Sequence, residues 1–95
     1  MIYSVSPELY RETAERLIEA IGSENYFSGS VTFPFGEVDC RLRTSVIVYR
    51  ERRSLPEGTF DAVADLVPVW WEFHTDAATG ELLNDFDFAE LKRYL

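Results

Sequence analysis

Glu72, His74 and Asp76 are the residues whose types and spacing could do chemistry. They alternate along Val69–Thr75 and its end, a run (Val, Trp, Trp, Glu, Phe, His, Thr) that reads as a β-strand. Alternate residues of a strand share a face and lie roughly 6.5–7 Å apart. Asp76-Ala77-Ala78-Thr79-Gly80-Glu81 reads as a tight hairpin connection. Pairing Asp76 with Glu81 then sets His74 opposite Leu83 and Glu72 opposite Asp85, with directly opposed Cβ atoms about 4.5–5.5 Å apart. Two carboxylates that close repel, one pKa rises, and the pair calls for an arginine, a metal or a shared proton.

A small hydrolase or metal protein built on Glu72, His74, Asp76 and Asp85 is therefore one functional reading. Ligand supply weighs against it. Transition-metal sites recruit several histidines or cysteines, and this chain has one of each. By strand parity Cys40 points to the core, as a small buried hydrophobe. No calcium-loop spacing is present, and neither is a Gly-rich phosphate loop, HExxH, GxSxG or CxxC. No catalytic residue, metal or cofactor is assigned. The competing reading is a solvated acidic face whose charge Arg41 and Arg43 neutralise from the neighbouring strand.

Charge runs unevenly along the chain. Five arginines fall between residues 41 and 53, and nine acids with no Lys or Arg between 54 and 91. Arg41 and Arg43 beside Tyr49 could contact phosphate, since arginine with aromatics on a sheet can hold single-stranded nucleic acid. The net charge of −8 argues against that, a basic domain being the usual footprint. The converse reading is an acidic modulator or mimic that binds a nucleic-acid-binding protein. It requires the acids from Glu57 to Glu90 to form one stripe.

The elements that must position these groups are legible from periodicity. Ser6 caps a first helix, Pro7 takes its first position, and Tyr10, Ala14, Leu17, Ile18 and Ile21 form its apolar stripe up to Gly22. Strands follow over about Tyr26–Phe33 and Val38–Arg50. In the second, Val38, Cys40, Leu42, Thr44, Val46 and Val48 point inward, while Asp39, Arg41, Arg43, Ser45, Ile47 and Tyr49 point outward. Residues 60–67 fit a strand or a helix face. The strand supplies a partner for strand two, with Phe60, Ala62, Ala64 and Leu66 on one face. Val69, Trp71 and Phe73 then face inward, so parity switches from even to odd, and Pro68 marks a bulge. Glu81–Asp85 is a short fourth strand. Asp87 and Glu90 have the capping-box spacing of a last helix. The expected fold is α+β: an N-terminal helix on a four-stranded antiparallel meander, then a short C-terminal helix.

Outward parity also gathers Trp70, Ile47 and Tyr49, with Leu83 across the hairpin. Left open, that surface is an apolar patch of the kind that marks interfaces, and a homodimer through the sheet is its simplest use. Covered, it lies under Phe88, Leu91 and Leu95 of the last helix. The expected binding residues are thus Arg41, Arg43, Ile47, Tyr49, Trp70, Glu72, His74, Leu83 and Asp85.

Ninety-five residues, 46% hydrophobic and 15% aromatic, suit one folded domain with its own core. The start of the chain lacks the basic and apolar regions of a signal peptide, no stretch is apolar enough to span a membrane, and a lone cysteine suits the reducing cytoplasm. The residues favour a small acidic, non-enzymatic interaction or regulatory protein that binds a protein partner or itself, with nucleic acid and membrane disfavoured.

Overall fold

The computed structural model describes residues 2–95. Its first helix, α1 (Pro7–Ile21), begins where the local chemistry places it. Ser6 is extended, its Oγ accepts the Leu9 N–H at 3.2 Å, and Pro7 stands where no N–H is needed. Gly22 ends the helix at φ 59°, its N–H donating to the Ile18 carbonyl at 3.1 Å. The buried stripe is wider than the apolar spacing indicates: Leu9 and Thr13 join Tyr10, Ala14, Leu17 and Ile21, while Ile18 is half-buried. Thr13 can be buried because its Oγ1 donates to the Leu9 carbonyl at 2.7 Å.

Four strands follow as an antiparallel meander in the order β1-β2-β3-β4: β1 (Tyr26–Phe35), β2 (Val38–Leu55), β3 (Gly58–Ala77) and β4 (Gly80–Leu82). Residues 60–67 are strand, and they join 69–75 in one continuous β3. β1 pairs with β2 only as far as Tyr26↔Ile47, whereas β2 and β3 pair on to Leu55↔Gly58. The excess projects as a two-stranded ribbon, and the molecule is 50 Å long against 25 Å and 18 Å across. Arg50 anchors the ribbon's base, donating through Nη2 to the carbonyls of Gly22 and Glu24, both at 2.8 Å.

The parity switch in β3 is real. Val46 pairs with Pro68 and Ser45 with Trp70, so Val69 is an extra residue without a partner. Leu66 above the bulge and Phe73 below it are both buried. Val69 itself, expected to face inward, is 63% exposed because the bulge turns it out. A second irregularity, between Tyr49 and Arg50, leaves Ala64 unpaired.

The short helix α2 (Phe88–Leu91) continues into a 3₁₀ turn over Lys92–Tyr94. Asp87 caps it by accepting the Ala89 N–H at 3.0 Å. Glu90 turns instead to Arg93, 3.7 Å away. This segment lies on the same face of the sheet as α1. Phe86 stacks on Phe73 with ring centroids 4.1 Å apart and on Tyr10 at 5.3 Å, and meets Trp71 edge-on at 5.5 Å. Phe86, Phe88 and Leu91 thus complete the core of Leu9, Leu17, Phe33, Leu42, Val46 and Leu66. The C-terminal residues cover the inner face, where Trp71, expected to be buried, still keeps 37% of its surface exposed, and none of the described helical residues packs on the outer face. No helix among the described residues is long and apolar enough to cross a membrane.

Candidate protein-interaction face

The outer face takes its side chains from alternate positions, as the pleat requires. β2 supplies Arg41, Arg43, Ser45, Ile47 and Tyr49. Their register partners on β3 are His74, Glu72, Trp70, Val67 and Asp65. Tyr26, opposite Ile47, closes the group on β1. Along the strands the face divides into a charged end at Arg41–His74 and an apolar end at Ile47–Val67. At the apolar end Tyr26 and Tyr49 are each 53% exposed, Trp70 42%, and Ile47 and Val67 38%. Between the two ends Ser45 is small and sunken, its Oγ 2.8 Å from that of Ser28. The guanidinium of Arg43 stands 6.0 Å from the centre of the Trp70 ring, a cation–π contact that ties the two ends together.

At the charged end His74 is held between two carboxylates. Its Nε2 lies 3.1 Å from Glu72 Oε2 and its Nδ1 3.4 Å from Glu81 Oε2. The bond from Glu72 is the main reason the His74 pKa is raised. Partial burial opposes this, Glu81 adds to it, and the positive charge of Arg41 across the ladder opposes it. The same bond holds the Glu72 carboxyl below its ordinary value, helped by Arg43, whose Nη1 is 3.6 Å away. Arg41 and Arg43 do stand across the sheet from the acids.

The structure rearranges the expected acidic set. Asp76 does pair with Glu81, but the β3–β4 ladder ends at Thr75↔Leu82. Leu83 is therefore not opposite His74. It stands 73% exposed past the strand end, where its carbonyl accepts the Tyr3 N–H at 2.7 Å. Asp85 is not opposite Glu72 either, because its Oδ1 accepts the Val5 N–H at 2.8 Å. Asn84 causes the departure: its Nδ2 donates to the Phe73 carbonyl at 2.9 Å and replaces the next rung of the ladder. The second carboxylate on His74 is Glu81. Val67 and Tyr26 also join the face. Parity signals Val67, since Leu66 beside it points inward, and it signals Tyr26 through the outward Ser28 and Ser30.

Chemically the cluster is a set of compensated charges on an open sheet. Among the described residues no three side chains of His, Cys, Asp or Glu come together to hold a metal ion. Cys40 lies on the opposite face, fully buried, and burial pushes its thiol up to about 11, with Asp39 and Asp76 adding to the shift. An open hollow of about 720 Å³ at the turn end of the sheet is lined by Tyr3, Phe35, Val38, Ala77 and Leu82, with Glu37 its one carboxylate. It contains no member of the His74 group. The remaining acids are dispersed: Asp61 is near Arg52 at 3.6 Å, Asp65 binds Lys92 at 3.0 Å, and Asp87 caps α2. Comparison of the chain with protein-family models, curated proteins and solved structures returns no match.

Proposed function

We propose that this chain is a small non-enzymatic interaction or regulatory module that docks a protein through the outer sheet face around Tyr49 and Trp70. One observation carries the reading: both helical segments pack on the inner face, so nothing among the described residues covers Tyr26, Ile47, Tyr49, Val67 and Trp70. Half-exposed aromatic and branched side chains grouped beside charges have the make-up of an interface, with an apolar centre and a polar rim. Tyr, Trp and Arg, all present here, are the residues that most often anchor binding. Catalysis gains no comparable support, because the His74 group sits on a sheet surface and not in a concavity that would enclose a substrate. A reducing compartment such as the cytoplasm suits the buried, unpaired thiol of Cys40.

Affinity capture from the host with three immobilised baits tests the reading. The baits are the unaltered chain, Trp70→Glu, and Glu15→Lys on the exposed side of α1. The expected result is a protein held by the first and third baits and lost from the second. Equal retention by all three, or by none, would contradict it.

A further inference from the structure

We infer that the occupant of the outer face is a second copy of this chain, docked sheet to sheet about a two-fold axis that runs along the strands between β2 and β3. The inference rests on the interaction reading above and names its partner. It follows from how charge is arranged on the face. Along the strands, Arg41, Arg43, Glu72 and His74 occupy one end and Ile47, Tyr49, Val67 and Trp70 the other. Across the strands, the charged end is sorted by sign: both arginines are on β2, while the acids Glu72 and Glu81 are on β3 and β4.

A two-fold axis along the strands keeps every residue at its own level and exchanges β2 with β3. It therefore lays Arg43 of one copy over Glu72 of the other, and Arg41 over His74 and its two carboxylates. At the other end Ile47 meets Val67, and the Trp70 ring is set over the small Ser45–Ser28 pair. Each contact occurs twice, as an isologous interface requires. The alternative axis, across the strands, would put the charged end of one copy on the apolar end of the other and strip water from ions that gain no partner across the contact, which is costly. At the outer limit Asp39 and Asp76 would bring acid over acid, so the contact ends at the level of Arg41 and His74. Two bodies of net charge −8 repel over most approaches. A face that presents both signs in register offers one orientation in which they attract.

Charge reversal in two halves tests this. One variant carries Arg41→Glu and Arg43→Glu, the other Glu72→Lys and Glu81→Lys, and sedimentation velocity reads association while circular dichroism reports folding. The unaltered chain is expected to dimerise, and each variant alone to associate at least about tenfold more weakly. Their equimolar mixture is expected to recover the lost affinity, because opposite signs again face each other in both halves. If either double variant fails to fold, the single changes Arg43→Glu and Glu72→Arg make the same comparison. An unaltered chain that stays monomeric at millimolar concentration overturns the inference, as do folded variants that dimerise like the unaltered chain or a mixture that is not rescued. A monomeric chain whose Trp70-dependent capture of a different protein persists removes the second copy and leaves the interaction reading standing. A monomeric chain without such capture removes both.

Discussion

His74 reports on the charged end of the outer face, because its protonation is coupled to Glu72 at 3.1 Å and Glu81 at 3.4 Å. A histidine whose pKa is raised on folding stabilises the fold fully below its unfolded value of 6.5, and that contribution is lost as pH climbs through the folded value. Glu72 works in the opposite sense: its pKa is lowered, so its share is present above the ordinary 4.5 and lost as pH falls through the lowered value. The pair therefore stabilises most in mildly acidic solution. The urea midpoint is expected to be higher at pH 6 than at pH 8, and His74→Gln to shrink that difference; an unchanged difference would remove the coupling. Cys40 gives a second residue-scale test. With no exposed surface and a thiol raised to about 11, it is expected to react with a thiol reagent at pH 8 only as fast as the protein opens, and at full rate in urea. Rapid labelling of the folded chain would contradict its burial. Alternation alone exposed this much at the residue scale, since every inward position of β2 from Val38 to Val48 is buried. Leu9 and Thr13 were hidden because a threonine breaks the apolar row, and only its hydrogen bond to the Leu9 carbonyl makes it fit to bury. Glu81 was hidden for another reason. The strand pattern runs smoothly to Asp85, whereas the ladder is ended by Asn84 and by Tyr3 and Val5, some 80 residues away in the chain.

Among the elements, the bulge in β3 and the C-terminal segment determine which way the face looks. The bulge can be tested by comparing two changes at Val69. Val69→Thr removes little, because the side chain is 63% exposed, and is expected to alter stability by no more than about 0.5 kcal/mol. Deleting Val69 removes the extra residue and leaves Leu66 and Phe73 six positions apart, both inward on an unbulged strand in the same register, so cooperative unfolding is expected to persist. A deletion variant without a cooperative transition would contradict the reading of Val69 as the extra residue of the bulge. Phe86 holds the C-terminal segment to the inner face through Tyr10, Trp71 and Phe73. Phe86→Ala is expected to cost about 3–5 kcal/mol by chemical denaturation. A loss below about 1 kcal/mol would mean the segment is held elsewhere. Pro68 amid a parity change made the bulge readable from sequence. The side on which α2 docks was not readable, because an amphipathic turn of Phe88, Leu91 and Leu95 fits either face. The choice is made by Phe86 finding Tyr10 and Phe73, a contact between the two ends of the chain.

For the molecule as a whole, two helical segments lie on one side of the meander, and none of the described helical residues packs on the other. The meander order and the helix positions follow from local signals that agree with one another. The length of the ribbon was understated: strand two was expected to end near Arg50, whereas β2 runs to Leu55 and stays paired with β3 as far as Leu55↔Gly58. The two tryptophans are adjacent in sequence and lie on opposite faces, so they distinguish inner from outer surface within one sample. Fluorine NMR of the chain carrying fluorotryptophan, followed from micromolar to millimolar concentration, tests the interaction face directly. The resonance assigned to Trp70 is expected to shift with concentration as the second copy covers it, while that of Trp71, packed against Phe86 and Phe88, stays in place. A Trp70 resonance that does not move, or a Trp71 resonance that moves instead, would contradict docking through the outer face.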